Sequence, residues 1–132
     1  MRRSTSIHVP IERESDVAEA SRTARQLAHA AGFDKLRCYY IATAASELAT
    51  NVFMHGGGGQ FEVWRLTSRP GIEMMASDSG PGIADIELAM TEGYSTTGSL
   101  GCGLSGTQRL MDVLTIDSAV ERGTRVRACK WL

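Results

Sequence analysis

The sequence predicts a two-layer α/β sandwich, with a mixed, mostly antiparallel sheet and helices on one face. Three observations predict it. Residues 15–31 and 35–54 carry apolar side chains at helical spacing, one stretch directly after the other. Residues 61–76 and 113–131 each read as two strands joined by a tight turn. A chain of 132 residues, 42% hydrophobic and 22% charged, holds one core and therefore one domain. No repeat, linker or low-complexity segment divides it.

Taken in order, Thr5–Ile11 suits a short strand that Pro10 confines to an edge. Ser15 suits the N-cap of a first helix, with Asp16 favoured in its first turn by the helix dipole. Val17, Ala20, Ala24, Leu27, Ala28 and Ala31 form its apolar stripe, and Gly32 ends it. The small size of this stripe predicts close packing. A second helix follows Asp34, with Leu36, Tyr40, Ile41, Ala44, Leu48 and Val52 inward, until His55 and four glycines stop it. Phe61–Leu66 and Ile72–Ala76 make a hairpin through Arg69-Pro70-Gly71. Residues 83–100 read as a loop of small polar residues. Leu104–Met111 is a short helix, and Val113–Val120 pairs with Arg125–Trp131 through Glu121-Arg122-Gly123.

Composition narrows the function classes. A net charge of −1 gives no field for nucleic acid or an anionic membrane. Cys38, Cys102 and Cys129 are widely spaced and odd in number, which fits neither a disulfide framework nor a zinc site but a reducing compartment. No apolar run nears the roughly 20 residues that span a bilayer. The opening MRRSTSIHVPIERE lacks the apolar core of a signal peptide, so a cytoplasmic location is expected. The 14 glycines gather at 56–59, 80–82 and 98–106, where backbone must turn or approach something closely.

Four patterns carry chemistry. Glu47 and Asn51, four apart on a helix, share one face. Asn51 offers a neutral amide oxygen that suits Mg²⁺ beside phosphates, and Glu47 a carboxylate that can take a proton. Alone, such a pair is more often a solvated helix face. Asp78-Ser79-Gly80-Pro81-Gly82 follows a strand; the glycines permit close approach to a flat ligand, and Asp78 can accept from an exocyclic amine. An ordinary Asx turn explains that segment equally well. Gly101, Gly103 and Gly106 lead into a helix, so backbone N–H groups and the helix N-terminus can cradle phosphate. That spacing lacks the βαβ setting of a dinucleotide fold, and no Walker P-loop is present. Gly123-Thr124 closes the series, although such a Thr often merely finishes a turn.

In this order, ExxxN on a helix, DxGxG, GxGxxG and GT, the chain resembles the GHKL ATPase superfamily, with its Bergerat fold. "SELATNVFMHG", "SDSGPGI", "LGCGLSGTQRLMD" and "GTRVRACKW" look most like the RsbT-type serine/threonine kinases of bacterial stress signalling, from about Ile7 to Trp131. The resemblance implies ATP and Mg²⁺ as cofactors. It makes Asn51 the metal ligand and Glu47 the catalytic base or water-orienting residue. Asp78 would hold the adenine amine, with Gly80, Gly82, Ile83 and Thr124 around the base. Gly101, Gly103, Leu104 and Gly106 would wrap the phosphates under a short lid, Ile83–Leu100. Cys102 and Ser105 stand where Leu and Pro are expected, and Gln108 where Lys is common; Arg109 is the candidate to compensate. The implied partners are a STAS-domain substrate in a stressosome and a PP2C-type phosphatase as output. An anti-sigma factor kinase and an ATP-binding module without turnover are the alternatives. His8, His29 and His55 are read as surface or packing residues.

Overall fold

The computed structural model describes residues 3–81, 103–119 and 122–132. Eight elements run in the order β1 (Ile7–Ile11), α1 (Glu14–Ala31), α2 (Lys35–Gly56), β2 (Gly59–Leu66), β3 (Gly71–Asp78), α3 (Gly103–Leu110), β4 (Val113–Ala119) and β5 (Gly123–Trp131). The strands form one sheet in the order β1-β2-β3-β5-β4. Every neighbouring pair among them is antiparallel, so the described sheet is antiparallel throughout rather than mixed.

Side chains alternate across the sheet, and the alternation sorts them into two layers. Val9, Ile11, Phe61, Val63, Ile72, Met74, Ala76, Val126 and Ala128 face the helices and join the main core. The opposite face holds a smaller cluster of Trp64, Leu66 and Cys129, flanked by Met75 and Trp131. Arg3 stacks 4.4 Å from the Trp64 ring, and Arg69 stacks 4.1 Å from that of Trp131. Among the described residues, these cations cover aromatic surface on the face away from the helices.

The alanine stripe of α1 is buried at Ala20, Ala24 and Ala28, facing Ala44, Ala45 and Ala49 in the core. Small residues on both helices let their backbones approach. Two expectations shift. The N-cap of α1 is Arg13 and not Ser15. Asp16 reaches back and accepts from the N–H groups of Glu12 and Arg13, both at 2.9 Å. Those two donors are released where β1 ends, and their bonds hold the Asp16 carboxyl below its ordinary range. On α2, Leu36 is 58% exposed while Cys38 is 5% exposed. The inward stripe therefore runs Cys38, Ile41, Ala45, Leu48, Val52, and at about 100° per residue Leu36 falls on the opposite side of the helix. The helix begins after Asp34 as expected, and Asp34 caps it, accepting from Arg37 N at 2.8 Å.

Helix α3 packs alongside α2 and is pinned at its C-terminal end. Lys130, buried in β5, donates from Nζ to the Leu110 carbonyl oxygen at 2.8 Å and lies 3.9 Å from Asp112 Oδ1. A cation on the last carbonyls suits that end of the helix dipole. Fixing this end also fixes where Gly103, at the opposite end, meets the rest of the molecule.

Cys38 and Cys129 are buried free thiols. Burial, with Glu73 and Asp112 adding, pushes the Cys129 thiol from 9.0 up to about 11. The folded chain thus keeps a proton that the unfolded chain loses first, so stability falls as pH rises through that window. Wild type is expected to lose on the order of 1 kcal/mol more than Cys129→Ala between pH 8 and pH 10, read from urea midpoints. Parallel losses would show that the thiol ionises freely in the fold.

Candidate functional site

The α2 helix sets the first part of the site. Glu47 and Asn51 sit one turn apart on it, both half-buried, about 6 Å apart along the axis. Asn51 Nδ2 is buried and meets no hydrogen-bond partner among the described residues. Such a group costs about 1–3 kcal/mol, so the amide is held ready for a ligand group that the described residues do not supply. Its carbonyl oxygen is a neutral hard donor, and the adjacent Glu47 is a carboxylate. That donor set fits an oxygen-seeking cation shared with phosphates.

Asp78 closes β3 and is the second part. Its Oδ1 accepts from Gly80 N at 2.9 Å, which fixes one carboxylate oxygen. The register places Asp78 opposite Thr124 and Thr124 opposite Ser118. By alternation all three face the helix side of the sheet, in one row across β3, β5 and β4. Thr124 Oγ1 and Ser118 Oγ share a hydrogen bond of 2.9 Å, and Ser118 Oγ also donates to the Gly123 carbonyl at 3.2 Å. An open cavity of about 210 Å³ lies at this end of the sheet, lined by the row and also by Ser77, Arg125 and Asp117, which alternate to the opposite face.

Glycines frame Asp78 on three sides. A Cβ on Gly56, the last residue of α2, would fall 2.3 Å from Asp78 Cγ. One on Gly80 would fall 2.7 Å from Gly56 Cα, and one on Gly123 would fall 2.1 Å from the Asp78 carbonyl oxygen. No larger residue fits these places without displacing the carboxylate or the strand end. Gly123 also has φ +92°, which other residues rarely adopt. The candidate site thus has two ends along α2: a carboxylate among glycines at its C-terminus, and Asn51 with Glu47 about one and a half and two and a half turns back.

Gly103 begins α3, and Leu104 and Gly106 lie on its buried side. Ser105 and Thr107 are buried with them. Gln108 and Arg109 are exposed in the last turn; Arg109 stands about 9 Å along the axis from Gly103. Gly82, Ile83, Gly101, Cys102 and the expected lid Ile83–Leu100 lie outside the described residues. Sequence reasoning missed Ser118 and Gly56. A strand register was needed for the first; the HGGGG run did signal the second, but read only as a helix stop. Of the histidines, His8 lies 3.6 Å from Glu62 Oε2, and His55 is exposed at the end of α2. Among the described residues no group of three His, Cys, Asp or Glu side chains could hold a metal, and no helix is long and apolar enough to cross a membrane.

A helix-backed antiparallel sheet that carries a carboxylate in a glycine frame and an ExxxN helix defines an ATP-dependent kinase-type domain. The chain belongs to the histidine kinase-like ATPase domain family, whose profile matches residues 10–130. It is similar to the serine/threonine-protein kinase RsbT of Bacillus subtilis (strain 168), 40% identical over 126 residues, 94% of this chain and 95% of that protein. It is also similar to the anti-sigma F factor of Thermoanaerobacter sp. (strain X514), 35% identical over 98 residues, 70% of this chain and 68% of that one. In fold it matches a histidine kinase domain from the Erythrobacter litoralis EL346 blue-light activated histidine kinase. That match has a TM-score of 0.50 over 93% of this chain and 61% of the other, at 16% identity.

Asp78→Asn keeps the shape of the side chain but replaces its acceptor charge. It is expected to weaken ATP binding about tenfold or more, as loss of a charged hydrogen bond does, while the thermal melt stays within a few degrees. Titration calorimetry decides; unchanged affinity would remove Asp78 from the site.

Proposed function

We propose that the chain is a cytoplasmic serine/threonine-protein kinase that uses Mg·ATP to phosphorylate a STAS-domain partner in a bacterial partner-switching pathway of the stressosome type. The orphaned Asn51 amide beside Glu47 carries this reading. Among the described residues Asn51 Nδ2 is buried without a hydrogen-bond partner, as is Trp64 Nε1 on the other face of the sheet, but only the amide stands beside a carboxylate one helical turn away. The full-length likeness to RsbT supports the choice of a Ser/Thr acceptor.

In this reading the base lies at the Asp78–Thr124 row, where Asp78 accepts from the exocyclic amine. The triphosphate runs along α2 toward Asn51, with Gly103 and Gly106 of α3 on its other side. Backbone N–H groups at the start of α3 hold phosphate oxygens, helped by the helix dipole. A magnesium ion on Asn51 Oδ1 would neutralise charge on the phosphates. Glu47 accepts the proton of the partner's hydroxyl as that oxygen bonds to the γ-phosphorus and the bond to the ADP oxygen breaks. The protein's work is positioning and charge stabilisation rather than covalent catalysis. After transfer the kinase leaves its substrate assembly and engages an output protein, such as a PP2C-type phosphatase.

The anti-sigma F factors among its relatives favour one other reading: a kinase that sequesters a sigma factor and phosphorylates its antagonist. Their likeness covers a smaller share of the chain. Incubation with labelled ATP and a panel of STAS proteins, beside a pull-down with sigma factors, separates the two. Labelled STAS protein without sigma binding is expected. Bound nucleotide without any phosphoprotein would instead make this an ATP-binding module.

Glu47→Gln keeps the size and removes the base. It is expected to slow phosphoryl transfer about a hundredfold or more with ATP affinity changed less than about threefold. Equal transfer rates in a single-turnover assay would exclude Glu47 as the proton acceptor.

A further inference from the structure

We propose that Gly56 is a positioning residue for base recognition, acting on the Asp78 carboxylate by having no side chain. The proposal rests on the reading of Asp78 as the group that accepts the base's exocyclic amine. Gly56 ends α2, five residues beyond Asn51, and it lies against the Asp78 carboxylate. A Cβ there would stand 2.3 Å from Asp78 Cγ, 2.5 Å from its Cβ and 2.6 Å from Oδ2. The whole side chain, and not only its tip, lies against the last turn of the helix. On the other side Gly80 donates its N–H to Oδ1 at 2.9 Å, and a Cβ on Gly80 would meet Gly56 Cα at 2.7 Å. The carboxylate is therefore wedged between two glycines that also touch each other. Its plane is set by the wedge, which decides where Oδ2 points.

Helix propensity predicts the opposite outcome for the same substitution. Gly56 sits in a helical turn without a positive φ, and Ala is the better helix former there. A purely local role for residue 56 thus predicts that Gly56→Ala is neutral or stabilising. If the glycine positions Asp78, the added methyl group swings the carboxylate off the Gly80 N–H and misdirects it. Binding that depends on the 6-amino group is then lost, and binding that ignores it is kept. A site built to bond a polar group discriminates strongly against analogues that lack it, so discrimination is the sensitive readout.

The test compares ATP with purine riboside triphosphate, which lacks the amine, on wild type, Gly56→Ala and Gly56→Ala/Asp78→Gly. Wild type is expected to prefer ATP about tenfold or more. Gly56→Ala should bind ATP about tenfold more weakly, bring the ratio close to one, and leave affinity for the purine analogue within about twofold. A Gly56→Ala protein that keeps the wild-type ratio overturns the proposal and leaves the reading of Asp78 standing. A wild type that binds both nucleotides equally overturns that reading, and this one with it. If Gly56→Ala does not fold, the double variant decides: recovery of the fold shows that the methyl group strikes Asp78, and failure to recover overturns the contact.

Discussion

The contact between the end of α2 and the Asp78 carboxylate is the constraint on which the site depends. Helix and strand reach each other there without intervening side chains, because Gly56 and Gly80 leave none. Asp78 is thereby held by backbone on both sides, and its position carries over to everything in register with it. Across the sheet it stands opposite Thr124, and Thr124 opposite Ser118. Along α2 it fixes the azimuth of Asn51 and Glu47, because a rigid helix that is keyed at its last residue cannot rotate. The Asp78 end and the Asn51–Glu47 end of the candidate site are thus set at one spacing by one element.

The rest of the fold holds that element in place. Alanines on α1 and α2 permit close packing, and the stripe from Cys38 to Val52 presses α2 onto the sheet. Lys130 fastens the far end of α3 through the Leu110 carbonyl, so the glycine-bearing start of that helix lies at a defined place beside α2. The opposite face of the sheet is built differently, with Trp64 and Trp131 covered by arginines instead of by helices. One face of the sheet serves the site, and the other is sealed by stacked cations.

Much of this was legible in the sequence, where short-range periodicity is decisive. The alanine stripe of α1, the start of α2 after Asp34, the two hairpins and the ExxxN face all follow from short-range spacing. Where the reading slipped, a neighbour decided. Asp16 rather than Ser15 serves the start of α1, because the end of β1 leaves two N–H groups within its reach. Leu36 is exposed because it falls on the side of α2 opposite the stripe from Cys38 to Val52. The row Asp78, Thr124, Ser118 joins residues 40 apart in the chain, and only strand register brings them together. Gly56 looked like punctuation because its role is defined by what lies across from it. An absent side chain leaves no chemical signature in a sequence.

The central claim is that Asp78 reads the base while Asn51 serves the phosphates from the same helix-and-strand frame. A crystal structure with magnesium and a non-hydrolysable ATP analogue tests it most directly. The account predicts the exocyclic amine within hydrogen-bond distance of Asp78, about 3 Å, and the ion on Asn51 Oδ1 with the γ-phosphate near Glu47. A base bound away from the Asp78–Thr124 row, or an ion held without Asn51, would contradict it.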